Sequence, residues 1–344
     1  MPTISAEQFN QILCMPKNRE NHATLLAEMP FVDTVEVSPA PGSAPLLDRP
    51  VRVLSWNAER CKHVRPSADF LKQNRADICL LTEMDWGMAR SGQAHTARDL
   101  AEQLGCGYVF AVEFLELDLG DEDERKKHSG ETNGVGYHGG AILCRQAIER
   151  SKLVRLETSG DWFDGQLGQR RIGGRIALMV SVPVSGVDVT FVSTHLESHT
   201  DPRSRGAQMR TIFEAIESFS PGSPAVIGGD LNTFSLGHEQ LKDRDLRAQA
   251  LREDPKRLVN PVQYEPMFTI ARDYGYEWKS CNHINEPTTR RSLPSSTERG
   301  KSKIDWFFCR HLIAENPEVV SAINQEDNSA LSDHEAIAIT IRVR

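Results

Sequence analysis

Residues 224–234 read PAVIGGDLNTF. A short apolar run closes on two glycines and then gives way to Asp230 and Asn232, which predicts a strand over 224–230 that delivers two hydrogen-bonding side chains into the following loop. A strand end is a rigid platform for a side chain that must be held in place. The same arrangement recurs outward in both directions. Upstream, VRVLSW (51–56) is followed by Asn57, DICLLTE (77–83) ends on Glu83, and DVTFVSTH (188–195) ends on His195. Downstream, KIDWFF (303–308) carries Asp305, and the pair Asp333-His334 opens the last strand-like run, HEAIAITIRV (334–343). YVFAVEF (108–114), GGAILCR (139–145) and GRIALMVSV (174–182) are further strand candidates. Helical spacing marks a segment around Pro66–Asn74, TARDLAEQLG (96–105) closing on Gly105, and the stretch 203–219. Many strands with few helical crossovers predict an α/β (α+β) domain, two packed mixed β-sheets flanked by helices.

Residues 1–49 read as an N-terminal extension, with a helical piece from Ala6 to Met29 and a proline-rich connector, SPAPGSAPLLDRP, that does not look like core; residues 50–344 read as one catalytic domain. Two polar segments interrupt it. Residues 116–138 contain the charge run DEDERKK and a glycine-rich stretch, and residues 281–302 contain TTRRSLPSSTERGKSK; both read as loops.

The 344 residues are 39% hydrophobic and 26% charged, an ordinary composition for one large domain. No stretch reaches the roughly 18 apolar residues of a membrane span, and the N-terminus lacks the pattern of a secretory signal. Seven cysteines without CxxC spacing argue against a disulfide framework or structural zinc. Cytoplasmic localisation is the expectation. A formal net charge of −8 leaves room only for local basic patches, whereas a protein gripping long nucleic acid usually presents a basic surface.

An Asn or Asp after a strand is by itself an ordinary turn former. It is the set that carries chemical meaning. Hard oxygen ligands suit Mg²⁺ or Mn²⁺, and Glu83 and Asp333 can supply them. Asp230 can activate a water that Asn232 positions. Asn57, Asn232 and His195 or His334 can donate to the oxygens on which charge grows, and Asp305 can orient His334.

SWNAER, LLTEMD, GYHGGAILCR, STHLES, IGGDLNTF, SKIDWFF and LSDHEA occur in this order. Together they resemble the endonuclease/exonuclease/phosphatase superfamily, and the resemblance covers about residues 50–344. It implies a deoxyribonuclease I-like four-layer sandwich and a metal-dependent phosphoesterase. Mapped by motif, it implies a catalytic set of Asp230, Asn232, His195, His334, Asp305 and Asn57, with Glu83, Asp333 and Asn57 at the metal. His195 would contact the phosphate or the leaving oxygen. The water-activating role falls to Asp230, with His334 cationic. Family members often place Asp two residues after the first Asn, where this chain has Glu59.

Arg175, Arg205 and Lys303 are candidate anchors for substrate phosphate, since guanidinium forks suit phosphate oxygens. Arg203, Arg205 and Gln208 also suit a packing role after the STHL motif. Arg170 and Arg171 extend one basic cluster; Arg290, Arg291, Arg299 and Lys301 extend the other. His138, Trp86, Trp162 and Phe163 are candidates to line a pocket. The functional expectation is a hydrolase of a small or non-polymeric phosphate ester using Mg²⁺ or Mn²⁺. The alternatives are a metal-dependent DNA or RNA nuclease and a non-catalytic binder of phosphate ligands.

Overall fold

The computed structural model describes residues 1–42, 47–237, 240, 243–290 and 302–344. Its helices are α1 (Ala6–Cys14), α2 (Arg19–Glu28), α3 (Val64–Gln73), α4 (Thr96–Leu104), α5 (Glu122–Lys127), α6 (Pro202–Phe219), α7 (Arg244–Glu253), α8 (Lys256–Val259) and α9 (Met267–Asp273). The strands are β1 (Val35–Ser38), β2 (Val51–Arg60), β3 (Ile78–Trp86), β4 (Gly107–Glu116), β5 (Tyr137–Cys144), β6 (Arg150–Arg155), β7 (Arg171–Gly173), β8 (Ile176–Val184), β9 (Val187–His195), β10 (Ala225–Asp230), β11 (Asp305–Arg310), β12 (Leu312–Val320) and β13 (Ala336–Val343).

They form two mixed sheets. The first runs β1-β4-β5-β3-β2-β13-β12 with β7 paired to β4, and the second runs β11-β10-β9-β8-β6. Between them lies an apolar seam built from alternate residues of both, among them Val51, Val53, Leu80, Leu178, Phe191, Phe307 and Ile339. The outer face of the first sheet packs Trp56, Leu81 and Phe110 with residues of α1 to α4. The outer face of the second packs Met179, Val192 and Ile227 against α6 and α9. The inner strands, such as β3, β5, β8 and β10, therefore bury both faces, which is why their sequences read as continuous apolar runs.

The two glycines of AVIGGD have separate steric causes. A Cβ at Gly228 would lie 2.7 Å from the Phe307 ring and 2.9 Å from Leu80, and one at Gly229 would lie 1.8 Å from the carbonyl oxygen of Thr194. Only bare backbone lets β10 approach its neighbours so closely.

Packing corrects two sequence expectations. The N-terminal extension packs into the fold: β1 pairs antiparallel with β4 as an edge strand of the first sheet. Phe31 is fully buried against Tyr137, their rings 4.8 Å apart, and Leu47 of the connector is buried in the seam between the sheets. The charge run at 121–127 is not a loop. Asp121 forms a capping box with Glu124 that starts α5, and Glu124 turns inward to bind Arg90 at 3.0 Å and Arg60 at 3.1 Å.

Phe31→Ala is expected to lower global stability by about 3–5 kcal/mol, the cost of emptying a fully buried aromatic site. Urea denaturation followed by circular dichroism measures it; an unchanged midpoint would show that the N-terminal segment folds apart from the sheets.

Candidate active site

Strand register assembles the site. β10 runs parallel to β9 and antiparallel to β11, so that Asp230 stands beside His195 on one side and beside Asp305 on the other. His334, arriving at the start of β13 from the other sheet, completes the group. Its Nδ1 lies 2.9 Å from Asp305 Oδ2 and its Nε2 3.6 Å from Asp230 Oδ2. His195 Nε2 approaches the same Asp230 oxygen at 3.5 Å. Asp230, Asp305 and His334 place possible ligand atoms within 4.8 Å of one another, the one such group among the described residues.

The first sheet contributes through irregularities. The pairing of β3 with β5 slips between Leu81 and Met84, and Glu83 takes a left-handed backbone with φ 56°. The pairing of β2 with β3 slips between Asn57 and Arg60, where Glu59, Arg60 and Cys61 all have positive φ. Bulges re-aim side chains, and side chains held at such angles concentrate at functional sites. Asn57 spans the two sheets: its Nδ2 donates to Glu83 Oε1 at 3.1 Å and to Asp230 Oδ2 at 3.2 Å. Its Oδ1 accepts from the Glu59 amide at 3.1 Å. The atom turned towards the two carboxylates is thus the amide nitrogen, a donor. Glu59 is not turned to solvent; it accepts from the Asp333 amide at 2.9 Å and so holds the SDH turn. Ser332 Oγ donates to Asn57 O at 2.7 Å and fixes the same turn from its other side.

Asn232, at φ 48°, closes the row. Its amide N–H donates to Asp230 Oδ1 at 3.0 Å and its Nδ2 to Leu196 O at 2.8 Å. These groups open into a cleft of about 340 Å³ whose lining includes Glu83, His195, Asp230, Asn232, Asp333 and His334. Arg60, Trp162, Gln169, Arg171, Arg175 and Phe234 face it as well.

Burial sets the electrostatics. It pushes the Asp230 carboxyl well above the usual carboxylate range; the positive charge of His334 opposes this and the charge of Asp305 adds to it. Burial would equally lower His334, but the charges of Asp305 and Asp230 hold it well above an ordinary histidine. His195 goes the other way, pressed well below by burial and then by the Arg175 guanidinium. Glu83 would be raised by burial, yet Arg60, with which it forms an ion pair, holds it well below the carboxylate range. The Asp333 carboxylate makes no hydrogen bond among the described residues, although it borders the cleft.

The three expected phosphate anchors part company. Arg175 reaches the cleft wall. Arg205 does not: it is fully buried, pairs with Glu265 at 2.6 Å and donates to Thr200 O at 2.7 Å, so its fork is spent on holding α6. Lys303 is also buried away from the cleft, its ammonium over the Trp306 ring at 4.9 Å and without a hydrogen bond among the described residues. Gln208 supports the turn after β9 by accepting from the Glu197 amide at 3.1 Å. Arg290 binds Glu335 at 2.6 Å, and Arg291, Arg299 and Lys301 lie outside the described residues. His138 is buried behind the cleft against Asp85 at 2.8 Å, and Trp86 stacks on His95; neither lines the cleft. Trp162 does.

Arg60, Glu113 and Glu197 escape a reading of strand ends. A signal existed for Glu113, a charge inside the apolar run FAVEFLE, and for Glu197, two residues past His195. Arg60 is aimed by a backbone turn that no residue type in SWNAER announces.

Residues 54–334 match the sequence model described as the Endonuclease/Exonuclease/phosphatase family. No curated protein matches the chain. Among solved structures, an endonuclease/exonuclease/phosphatase from Beutenbergia cavernae DSM 12333 is 17% identical, with 86% of this chain and 72% of that chain covered and a TM-score of 0.58. The mannosyl-6-phosphatase Bt3783 of Bacteroides thetaiotaomicron VPI-5482 is 16% identical over 85% of this chain and 99% of that chain, with a TM-score of 0.53. TDP2 from C. elegans is 18% identical over 87% and 76%, with a TM-score of 0.51. At these identities the likeness is one of fold.

The raised His334 has a consequence for stability. A histidine whose folded-state pKa exceeds the unfolded value of about 6.5 contributes fully below that pH and loses its contribution as pH rises through the folded value. In chelator-treated protein, Asp305→Asn is expected to cost about 3 kcal/mol at pH 6, a gap that narrows towards pH 10. Chemical denaturation across that range measures it; a gap independent of pH would mean that His334 is not the group held up by Asp305.

Proposed function

The chain belongs to the endonuclease/exonuclease/phosphatase family, and from that premise we propose that it is a divalent-metal-dependent hydrolase of small phosphate esters, with Mg²⁺ or Mn²⁺ as the metal. The observation that carries this reading is the row His195–Asp230–Asp305, set by strand register and closed by His334. It brings together a carboxylate of raised pKa, a cationic donor and a carboxylate that fixes the cation, which is the equipment for activating water against phosphorus.

The donor set fits a hard divalent cation. Three carboxylates, Glu83, Asp230 and Asp333, line the cleft with Asp305 beside Asp230, and a bound cation relieves repulsion among such groups. Glu83 and Asp333 are the residues that would hold it, both with oxygen donors of the kind Mg²⁺ and Mn²⁺ prefer. Bound there, the metal would supply Lewis-acid stabilisation of the phosphoryl group.

The chain's own groups do the rest. Asp230 accepts the proton of the attacking water as the new P–O bond forms and the ester P–O bond breaks. Asn57, donating to both Glu83 and Asp230, keeps the two carboxylates at fixed separation. Asp305 holds Nδ1–H of His334 and keeps the ring cationic, so that its Nε2–H faces the charge accumulating on the phosphoryl oxygens. Asn232 uses one of its two amide hydrogens on Leu196 and has the other for the same oxygens. A cleft of about 340 Å³ suits a compact ester, and a formal net charge of −8 leaves little basic surface for a duplex. The substrate choice rests on these two features.

EDTA is expected to abolish hydrolysis, and Mn²⁺ or Mg²⁺ to restore it. Asp230→Asn should lower kcat by about 10³-fold or more with the fold intact, and Glu83→Ala should weaken Mn²⁺ binding by about tenfold or more in calorimetry. Full activity in chelator would overturn the metal mechanism. A substrate panel with Mn²⁺ completes the test: turnover of intact or abasic DNA far above monoesters and small diesters would assign the chain to the nucleases instead.

A further inference from the structure

The two histidines of the cleft are gripped at the same ring atom by opposite partners. At His334, Nδ1 faces the Asp305 carboxylate at 2.9 Å, an acceptor, so that nitrogen carries a proton. At His195, Nδ1 faces Nη1 of Arg175 at 3.0 Å. A guanidinium has N–H donors and no acceptor, and it stays protonated. In this contact only the arginine can donate. His195 Nδ1 must therefore present its lone pair, and the one proton of the neutral ring sits on Nε2, the atom that lies 3.5 Å from Asp230.

Arg175 cannot easily turn away. Nη1 also donates to Glu113 Oε2 at 3.2 Å, and Nε donates to Glu197 Oε2 at 3.2 Å. The Trp162 indole donates to that same Glu197 oxygen at 3.0 Å, and the guanidinium lies over the Phe114 and Trp162 rings at 5.4 and 5.9 Å. Glu113 belongs to β4, Arg175 to the link between β7 and β8, and Glu197 to the turn after β9. Two of the five guanidinium donors are thus fixed by carboxylates from two separate parts of the fold, and a third meets His195. Moving Arg175 would strand two buried carboxylates, which is strongly unfavourable.

We propose that Arg175 is a positioning residue that locks His195 in the Nε2–H tautomer, so that His195 serves the reaction only as a hydrogen-bond donor to a phosphoryl oxygen. The donor role rests on the hydrolase reading above; the lock does not. His195 can neither take the proton of the attacking water nor hand a proton from Nδ1 to the leaving group. Proton acceptance stays with Asp230, and the two rings divide the remaining work, one a cation and one a neutral donor. Arg175, first considered as a phosphate anchor, acts through His195.

Nitrogen NMR of the full-length protein labelled with ¹⁵N-histidine tests the lock, with the His195 signals identified by their loss in His195→Gln. At pH 7 we expect a non-protonated Nδ1 and a protonated Nε2 in the wild type and in Arg175→Lys, which keeps a donor. In Arg175→Met we expect shifts averaged over protonated and non-protonated Nδ1. A protonated Nδ1 in the wild type, or an unchanged Nδ1 in Arg175→Met, would overturn the lock. Should Arg175→Met fail to fold, turnover of bis(4-nitrophenyl) phosphate with Mn²⁺ decides by a second route. The glutamine amide of His195→Gln falls near the Nε2 position and that of His195→Asn near Nδ1, so the first should keep at least about tenfold more kcat than the second. Equal loss in both would count against the lock. Absence of wild-type turnover would strike the hydrolase reading, while the nitrogen shifts would still decide the tautomer.

Discussion

Everything in the cleft hangs on the register of one strand. β10 is parallel to one neighbour and antiparallel to the other, and its last residue, Asp230, sits level with the last residue of β9 and the first of β11. Because side chains alternate strictly along a strand, a slip of one residue would turn Asp230 away from both. Gly228 and Gly229 protect that register from two directions. One yields its side-chain space to Phe307 and Leu80, the other lets the backbone of β9 come into contact. The oxygen so placed, Asp230 Oδ2, is approached by Asn57, His195 and His334 together.

The surrounding charges form a layered system rather than a list of pairs. Nearest the chemistry, carboxylates predominate and His334 is cationic. Around them, Arg60, Arg171 and Arg175 face the cleft and, with the buried Arg90, pair with Glu113, Glu116, Glu124 and Glu197 in a largely buried network. Such a network stabilises little in itself, since desolvation offsets most of the attraction. What it does provide is orientation: Arg60, Arg90 and Arg175 are each held by carboxylates from different elements of the fold, and each can then fix something else. Arg175 fixes a ring, and Arg60 fixes Glu83.

The sequence was most legible where chemistry and strand ends coincide. Asn57, Glu83, His195, Asp230, Asn232, Asp305, Asp333 and His334 all follow apolar runs or open them; the structure puts six of them on one cleft and buries Asn57 and Asp305 in contact with those six. The two-sheet architecture followed from the same runs. Legibility failed where backbone geometry or distant partners decide. The bulges that aim Glu83 and Arg60 are properties of strand pairing, not of residue type. Arg205 and Arg175 look alike in sequence, but Glu265 claims the first for a helix while Glu113 and Glu197 hold the second at the cleft wall. The edge strand β1 and the helix α5 were hidden because one is only four residues long and the other is a polar segment whose single inward residue, Glu124, is charged.

Asn57 joins a carboxylate of one sheet to a carboxylate of the other, with both contacts near 3 Å. The carboxylates of the cleft therefore measure the distance between the sheets. A change in the seam that shifts one sheet by a fraction of an ångström would leave secondary structure and much of the stability in place while pulling this bridge apart. Drift of sequence in the seam, at positions such as Val53, Phe191 or Ile339, is then limited by alignment before it is limited by unfolding. Selection on turnover alone would police residues that no substrate ever meets.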